Sequence, residues 1–310
     1  MSTKKQLKDY TKDYENYEEL IEEEKEHYSK IEVTERLTEG GVHAHSSWEH
    51  YWQNVGAKMR DEAPDFIDIA GYMKKSMKQF PIRILSLGSG YCGQEIGLAE
   101  RLSDGYEVVC VDINESLFSR AREVVEKKSL NIRFLVEDIN FIQLESNHYD
   151  VIMIHAALHH VINLELLFEQ VSQSLTDQGF FHVVEVVGEN RKLIWDENEV
   201  FVNKLLDILP PSLIGSTRLR TLPEEEGMEG VRQEDILPLL EEWFDPLYEH
   251  RHGAFMRFIC THPTLGSALN PKDPKIRHWL DFLIDCDQSS VKHGLLRPLE
   301  IWGCYKPKIQ

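Results

Sequence analysis

Between residues 82 and 187 the chain alternates short apolar, β-branched runs with stretches of helical periodicity. The predicted strands are Ile82–Leu87, Glu107–Val111, Ile132–Val136, Val151–His155 and Phe180–Val187. Helical patterns at about 94–103, 115–128 and 164–175 fill the intervals, and Asn114 and Asn163 are candidate N-caps. Such an alternation predicts βαβ units, a parallel sheet and helices on both of its faces.

A glycine-rich loop follows the first predicted strand. Gly88, Gly90 and Gly93 spell GxGxxG between that strand and a predicted helix. Glycine lets a backbone turn tightly and approach a ligand, and a helix N-terminus offers free N–H groups to an anion. The loop fits a dinucleotide, or a nucleotide-like ligand that carries a carboxylate. A tight turn without a ligand is the remaining interpretation.

Two carboxylates follow predicted strands. Asp112 ends the second strand, where a carboxylate can accept both hydroxyls of a ribose, and both kinds of ligand require it. Asp138 follows the third strand, where it can accept from an adenine amino group while a neighbouring N–H donates to a ring nitrogen. Asp138 favours the nucleotide-like ligand, because a dinucleotide site gives it no role.

These features together resemble class I S-adenosylmethionine-dependent methyltransferases. The matching parts are the loop LSLGSGYCG, Asp112, the Glu137-Asp138-Ile139 step and the stretch from Tyr149 to Val161. The resemblance covers about 82–190, and more loosely a strand pair predicted at Pro246–Arg251 and Leu299–Tyr305. It implies an α/β fold with a Rossmann-like, doubly wound sheet of order 3-2-1-4-5-7-6, whose seventh strand is antiparallel.

The resemblance also implies the cofactor S-adenosylmethionine and its contacts. The Gly88, Ser89 and Gly90 backbone would face the methionine portion. Asp112 would hold the ribose, and Ile113 would lie against the adenine. Asp138 would take the adenine amino group, Ile139 would supply a backbone contact, and His155 and Ala156 would lie near the sulfonium.

The glycine loop departs from the family pattern in two places. Ser86 stands where the family usually has an acidic residue, and Cys92 stands where its third glycine falls, so that Gly93 comes one residue late. Gln94 or Glu95 is a candidate to compensate for the missing acid.

Three residues are candidates for the chemistry. His159, and after it His160, lies just past the fourth predicted strand and suits a general base near pH 7. Packing at a helix entry is the alternative for this pair. Glu185 lies in an apolar strand, where an acid is costly unless it is paired or functional. We expect it to contact substrate or to pair with Arg191.

The acceptor is expected to be a small molecule that is methylated at oxygen. The segment 188–195 resembles stretches of bacterial methyltransferases associated with glycans or natural products. Arg191 could clamp a carboxylate or phosphate, or form a surface salt bridge. Trp48, Tyr51 and Trp195 are predicted to shape the acceptor pocket. Two alternatives stay open, an NAD-dependent oxidoreductase and a protein that binds S-adenosylmethionine in a non-methylating or regulatory role.

The predicted domains are a core interrupted by additions. Residues 1–75 form an N-terminal helical cap, 76–190 and 243–310 the cofactor-binding core, and 191–242 and 252–297 lid and acceptor-pocket insertions. A stripe of Tyr10, Tyr14, Tyr17, Ile21, Tyr28 and Ile31 predicts one or two amphipathic helices. These helices either dock on the core by one stripe, cover a site or form a homodimer contact.

Charge and cysteine content exclude several classes of partner. A net charge of −19 disfavours nucleic acid and anionic membranes as partners. Five scattered cysteines without a CxxC, no secretory leader pattern and no apolar run of about 20 residues predict a reduced, cytoplasmic protein. The pairs His43/His45, His159/His160 and His250/His252 lack the spacing of a zinc site, so no metal is predicted.

Overall fold

The structure is a computed structural model that describes residues 7–30, 45–222 and 227–308. Ile31 of the predicted N-terminal stripe and His43 of the first histidine pair lie outside these ranges. Within them, no helix has both the length and the apolar character that crossing a bilayer demands.

In the described part of the chain, seven strands form one mixed sheet. They are β1 (Ile82–Leu87), β2 (Tyr106–Asp112), β3 (Ile132–Val136), β4 (Tyr149–His155), β5 (Leu175–Val186), β6 (Phe244–His252) and β7 (Glu300–Pro307). Their order is β3-β2-β1-β4-β5-β7-β6. The strands β1 to β5 pair in parallel, whereas β7 is antiparallel to both β5 and β6. The predicted order and the antiparallel seventh strand are confirmed.

Helices cover the sheet and fill its long connections. They are α1 (Tyr17–Lys30), α2 (Ser46–Glu62), α3 (Pro64–Ile67), α4 (Ile69–Ser76), α5 (Gly93–Leu102), α6 (Glu115–Lys128), α7 (Leu164–Ser174), α8 (Asp196–Leu206), α9 (Pro211–Ile214), α10 (Ile236–Trp243), α11 (Met256–Thr261), α12 (Pro263–Ala268) and α13 (Pro274–Lys292). Short 3-10 helices lie at Tyr10–Asp13, Leu158–His160 and Gln233–Asp235.

The central strands are buried on both faces, which explains their continuous apolar sequences. In β1, Ile84 joins a core shared with α4, α5 and α6, while Leu85 joins a core shared with α7 and α10. The register aligns Ile84 with Val151 and Leu85 with Ile152 of β4. Since β1, β2, β3 and β4 are parallel, their carboxyl ends meet at one edge of the sheet.

A third hydrophobic cluster joins segments that are distant in sequence. Tyr51 of α2 is fully buried in it, together with residues of 194–219 and 254–299. The cluster therefore combines part of the predicted cap with both predicted insertions. The helix α10 lies elsewhere, because Ile236 and Leu240 pack on the sheet beside α7. It covers the sheet, although the predicted lid of 191–242 includes it.

Candidate functional site

A cleft of about 300 Å³ opens where the carboxyl ends of the parallel strands meet. All nine residues predicted to contact a cofactor line it, namely Gly88, Ser89, Gly90, Asp112, Ile113, Asp138, Ile139, His155 and Ala156. They come from the β1–α5 loop and from the ends of β2, β3 and β4. In doubly wound folds this edge of the sheet is where ligands bind.

The glycine loop depends on backbone conformations that disfavour side chains. Gly88 and Gly90 have φ values of +61° and +51°. A Cβ on Gly88 would lie 2.5 Å from the Ala157 Cβ, so the loop packs directly against the chain that leaves β4. A Cβ on Gly90 would meet nothing within 4 Å, and the loop therefore leaves open space there. Gly93 is the first residue of α5.

Asp112 links the glycine loop to the start of α6. Its carboxylate accepts hydrogen bonds from the N–H groups of Gly90 at 2.8 Å and Asn114 at 2.9 Å. Burial raises the pKa of Asp112 above its ordinary value, against the lowering effect of these backbone hydrogen bonds. Each oxygen keeps a further lone pair for a ligand. Asn114 caps α6 by accepting from the Ser116 N–H, as the sequence predicted.

Asp138 connects the cleft to the N-terminal helix. Its carboxylate accepts from the Tyr17 hydroxyl at 2.6 Å and from the Asn140 N–H at 2.9 Å. Tyr17 lies on α1, and burial together with Asp138 raises the pKa of this phenol well above its usual range. Asp138 therefore joins α1 to the cleft.

The N-terminal helix is a wall of the cleft. Ile21, Glu24, Lys25 and Tyr28 of α1 line it. The amide of Asn114 donates to the Lys25 carbonyl at 2.9 Å and holds α1 against α6. Of the alternatives for this segment, the structure shows docking of the apolar stripe on the core together with a cover over the cleft.

Asn163 holds the segment that precedes α1. Its side chain accepts from the Tyr10 N–H at 2.7 Å and donates to Asp9 at 3.0 Å. Asn163 is the N-cap residue of α7, as predicted, but its side chain makes no hydrogen bond to that helix. The fully buried amide binds the N-terminal segment instead.

His159 and Glu185 form a buried pair behind the cleft wall. The His159 Nδ1 lies 2.5 Å from the Glu185 Oε1, and the other carboxylate oxygen accepts from the N–H groups of Ala157 and Leu158. Burial lowers the pKa of His159, but the charge and hydrogen bond of Glu185 reverse the effect and raise it. Burial raises the pKa of Glu185, yet His159 and the backbone donors lower it overall.

His160 stands in the cleft wall itself. Its Nδ1 lies 2.8 Å from a carboxylate oxygen of Glu24, and its Nε2 lies 3.3 Å from the Tyr28 hydroxyl. Glu229 approaches both histidines, at 3.6 Å from the His159 Nε2 and 3.5 Å from the His160 Nε2. The sequence did not predict Glu24 or Glu229 here, because both come from distant segments.

The two departures from the family pattern have local explanations. The Ser86 hydroxyl donates to the Glu95 carboxylate at 2.6 Å, so an acid does lie beside the strand. Both residues are buried, burial raises the pKa of Glu95, and neither lines the cleft. Cys92 adopts the left-handed conformation, with φ of +56°, that glycine would favour.

The predicted acceptor residues lie outside this cleft. Tyr51 and Trp195 belong to the third hydrophobic cluster, and Trp48 packs against it. Arg191 donates to the carbonyls of Gly227 and Glu229 and so supports the loop that carries Glu229. The expected pairing of Arg191 with Glu185 is wrong, because His159 and backbone N–H groups occupy that carboxylate.

The sheet order and the carboxylate-lined cleft define the class I methyltransferase fold. A comparison with protein families finds a match to the methyltransferase domain over residues 84–179. The chain therefore contains a class I S-adenosylmethionine-dependent methyltransferase domain, whose cofactor is S-adenosylmethionine. This match favours the methyltransferase over the NAD-dependent alternative. No curated protein sequence gives a significant match.

Solved structures show likeness in fold. A protein from Pyrococcus horikoshii is 18% identical, with 76% of this chain and 86% of that chain covered and a TM-score of 0.43. A methyltransferase from Mesorhizobium loti is 14% identical, with 86% and 100% covered and a TM-score of 0.45. Coclaurine N-methyltransferase bound to N-methylheliamine and S-adenosylhomocysteine is 14% identical, with 77% and 70% covered and a TM-score of 0.47.

Proposed function

We propose that this protein transfers a methyl group from S-adenosylmethionine to an oxygen atom of a small-molecule acceptor. One observation carries the proposal: nine residues assigned to the cofactor from sequence line a single cleft, and His160 lines it too. The domain match accounts for the cofactor but leaves the acceptor open. The histidine pair argues for an acceptor that must lose a proton.

The cleft offers groups that fit the cofactor. The lone pairs of Asp112 suit the ribose hydroxyls, Ile113 and Ile139 suit the faces of the adenine, and Asp138 suits its amino group. The Nε2 of His155 is buried without a hydrogen-bond partner among the described residues, so a polar ligand atom would satisfy it. When bound, the cofactor supplies an electrophilic methyl group on a sulfonium, which a nucleophile displaces in line.

Acidic side chains give the cleft a charge that suits a cationic sulfonium. Glu24, Asp112, Glu137 and Asp138 line it, against the single cation Lys25 among its described lining residues. The net charge of −19 also repels phosphate backbones, which supports a small molecule over a nucleic acid as acceptor.

We assign acceptance of the acceptor's proton to the histidine pair. His160 is the member that lines the cleft, and Glu24 holds its Nδ1 side. His159 lies behind it, where Glu185 orients the ring. Imidazole accepts a hydroxyl proton near neutral pH, and a positioned base typically contributes about 10²- to 10⁴-fold to the rate.

The acceptor residues, the cellular location and the homodimer contact of this proposal are those predicted from the sequence. Trp48, Tyr51, Arg191 and Trp195 stay predicted acceptor residues, although none lines the cofactor cleft. A cytoplasmic location is supported by five cysteines that form no disulfide. A homodimer contact through the N-terminal helices also stays a prediction.

The test is turnover with [methyl-13C]-S-adenosylmethionine and matched panels of hydroxylated and aminated small molecules. We expect S-adenosylhomocysteine to form with a hydroxylated acceptor, and the product carbon to show the chemical shift of an O-methyl group. His160→Gln should slow turnover by about 10²-fold or more, whereas His278→Gln, at an exposed position, should not. A methyl carbon on nitrogen would contradict the oxygen assignment, and binding without turnover would favour the non-methylating alternative.

A further inference from the structure

We propose that His159, His160 and Glu229 form a binding site for a divalent transition-metal ion at the wall of the cofactor cleft. One ligand atom from each residue lies within 4.8 Å of the other two. The Glu229 oxygens are 3.6 Å from the His159 Nε2 and 3.5 Å from the His160 Nε2. Ligand atoms around a tetrahedral zinc ion, at about 2.0 to 2.1 Å from the metal, lie roughly 3.3 Å apart. Small side-chain movements would therefore complete the site.

The opposite ring nitrogen of His159 is held as it is in metal sites. The Nδ1 of His159 is hydrogen-bonded to Glu185 at 2.5 Å, whereas the Nδ1 of His160 lies 2.8 Å from a Glu24 oxygen without hydrogen-bond geometry. A carboxylate on one imidazole nitrogen fixes the tautomer and leaves the lone pair of the other nitrogen for a metal. The lone pair of His159 therefore lies on Nε2, on the side of Glu229, and the Nε2 of His160 lies on the same side.

Two protonated histidines are the alternative explanation of these contacts. The two rings lie 4.2 Å apart between centroids, so their simultaneous protonation would place two positive charges side by side. The distances of 3.5 and 3.6 Å to Glu229 also exceed ordinary hydrogen-bond lengths. Two imidazoles are surrounded by the carboxylates of Glu24, Glu185 and Glu229. This cluster has a net negative charge, which a bound dication would reduce.

The ligand set selects the type of ion. Two imidazoles and one carboxylate suit Zn²⁺, Fe²⁺, Co²⁺ or Mn²⁺, whereas Ca²⁺ and Mg²⁺ prefer oxygen ligands. Three protein ligands leave at least one position open, and the Tyr28 hydroxyl, 3.3 Å from the His160 Nε2, borders it.

This site deepens the proposed function and rests on it for its role. His160 and Met228, the residue before Glu229, line the cleft. An acceptor hydroxyl could therefore reach an ion held there. Coordination to a dication lowers the pKa of an oxygen ligand, so the hydroxyl would release its proton to solvent before methylation. The ion would then replace the free imidazole as the agent that activates the acceptor.

A second cluster must be separated from this one in any test. Cys92, Glu95 and Cys110 also place their ligand atoms within 4.8 Å of one another. All three are buried, and both cysteines belong to the hydrophobic core between the sheet and α5. This cluster does not line the cleft, and its thiolates would give a bound ion a different spectrum.

The experiment uses the full chain, stripped with a chelator and titrated with ZnCl2 by calorimetry and with CoCl2 by visible absorption. We expect one equivalent of either ion and a cobalt spectrum of nitrogen and oxygen ligands. Glu229→Gln should weaken zinc binding at least tenfold. The matched control, Glu242→Gln on an exposed turn of α10, should leave it unchanged.

Three results would overturn the metal site: no ion bound, affinity unchanged in Glu229→Gln, or an intense thiolate band that Cys92→Ser removes. S-adenosylhomocysteine is titrated in parallel into each protein to show that the variants are folded. A wild-type chain that binds S-adenosylhomocysteine but no metal refutes the metal site alone. A wild-type chain that binds metal but not the nucleoside refutes the methyltransferase function instead.

Discussion

Glu185 organises the site from inside the protein, and its replacement by glutamine is a sharp perturbation. One carboxylate oxygen accepts from the N–H groups of Ala157 at 2.8 Å and Leu158 at 2.6 Å. The other lies 2.5 Å from the His159 Nδ1 and accepts from the Val186 N–H at 2.6 Å. Glutamine keeps the size of the side chain but turns one of these acceptors into an NH2 donor that faces other donors.

The expected cost follows from the burial of the pair. The Glu185 side chain is 0% exposed and the His159 side chain 7%. Removing one partner of a buried, hydrogen-bonded ion pair typically costs about 3–5 kcal/mol. We expect Glu185→Gln to lower the free energy of unfolding by this amount and to weaken any binding that depends on the His159 ring.

The effect should depend on pH. The pKa of Glu185 is lowered in the fold, so its contribution is present above the unfolded value of 4.5 and lost as pH falls. The pKa of His159 is raised, so its contribution is full below the unfolded value of 6.5 and lost as pH rises through the folded value. The difference in the free energy of unfolding between wild type and Glu185→Gln should therefore be largest between pH 4.5 and pH 6.5.

Urea unfolding at pH 5.5 and pH 8.5, followed by tryptophan fluorescence, measures this difference. Glu107→Gln is the matched control, since Glu107 lies in β2 at a partly exposed position. We expect it to change stability by less than about 0.5 kcal/mol. A Glu185→Gln variant within about 1 kcal/mol of wild type at both pH values, or a larger difference at pH 8.5 than at pH 5.5, would contradict a stabilising Glu185–His159 pair.

Two further predictions concern the sheet and its loop. Burial lowers the pKa of His155 to about 4 and of His182 to about 3, so only the unfolded chain takes up their protons between pH 7 and pH 5. Urea unfolding should show that the free energy of unfolding falls by about 2 kcal/mol for each histidine between pH 7 and pH 5. Equal stability at the two pH values would contradict the lowered pKa values. Gly88→Ala places a Cβ 2.5 Å from the Ala157 Cβ at φ of +61°. It should cost about 1–3 kcal/mol and weaken S-adenosylhomocysteine binding in calorimetry, whereas Gly97→Ala in α5 should stabilise by about 0.5–1 kcal/mol. Equal stability of the two alanine variants would refute the packing of the loop.

The sheet and the cofactor cleft could be predicted because their signals are local. Each buried strand is a continuous apolar run, and Asp112 and Asp138 follow such runs directly. Parallel strands bring their carboxyl ends to one edge, so a residue's position after its strand already places it at the site. Resemblance to a known family added the order of the strands.

The histidine environment and the acceptor region could not be predicted in the same way. Tyr17, Glu24 and Glu229 reach the site from segments far from β4, and neither spacing nor periodicity reports such contacts. Aromatic residues near the chain's start suggested an acceptor pocket, yet Tyr51 is fully buried in a hydrophobic cluster. An aromatic side chain fills a core as well as it binds a ligand, so composition does not separate the two roles.

We expect the cleft to bind an S-adenosyl group through Asp138. Calorimetric titration with S-adenosylhomocysteine, and with NAD as comparison, measures this binding in the wild type, in Asp138→Ala and in the exposed control Asp104→Ala. We predict saturable binding of S-adenosylhomocysteine alone, unchanged in the control. In Asp138→Ala it should be weakened about tenfold or more, as expected for a lost hydrogen bond to a charged group. Binding of NAD alone would contradict an S-adenosyl site, and an Asp138→Ala variant with wild-type affinity would contradict the role of Asp138 in it.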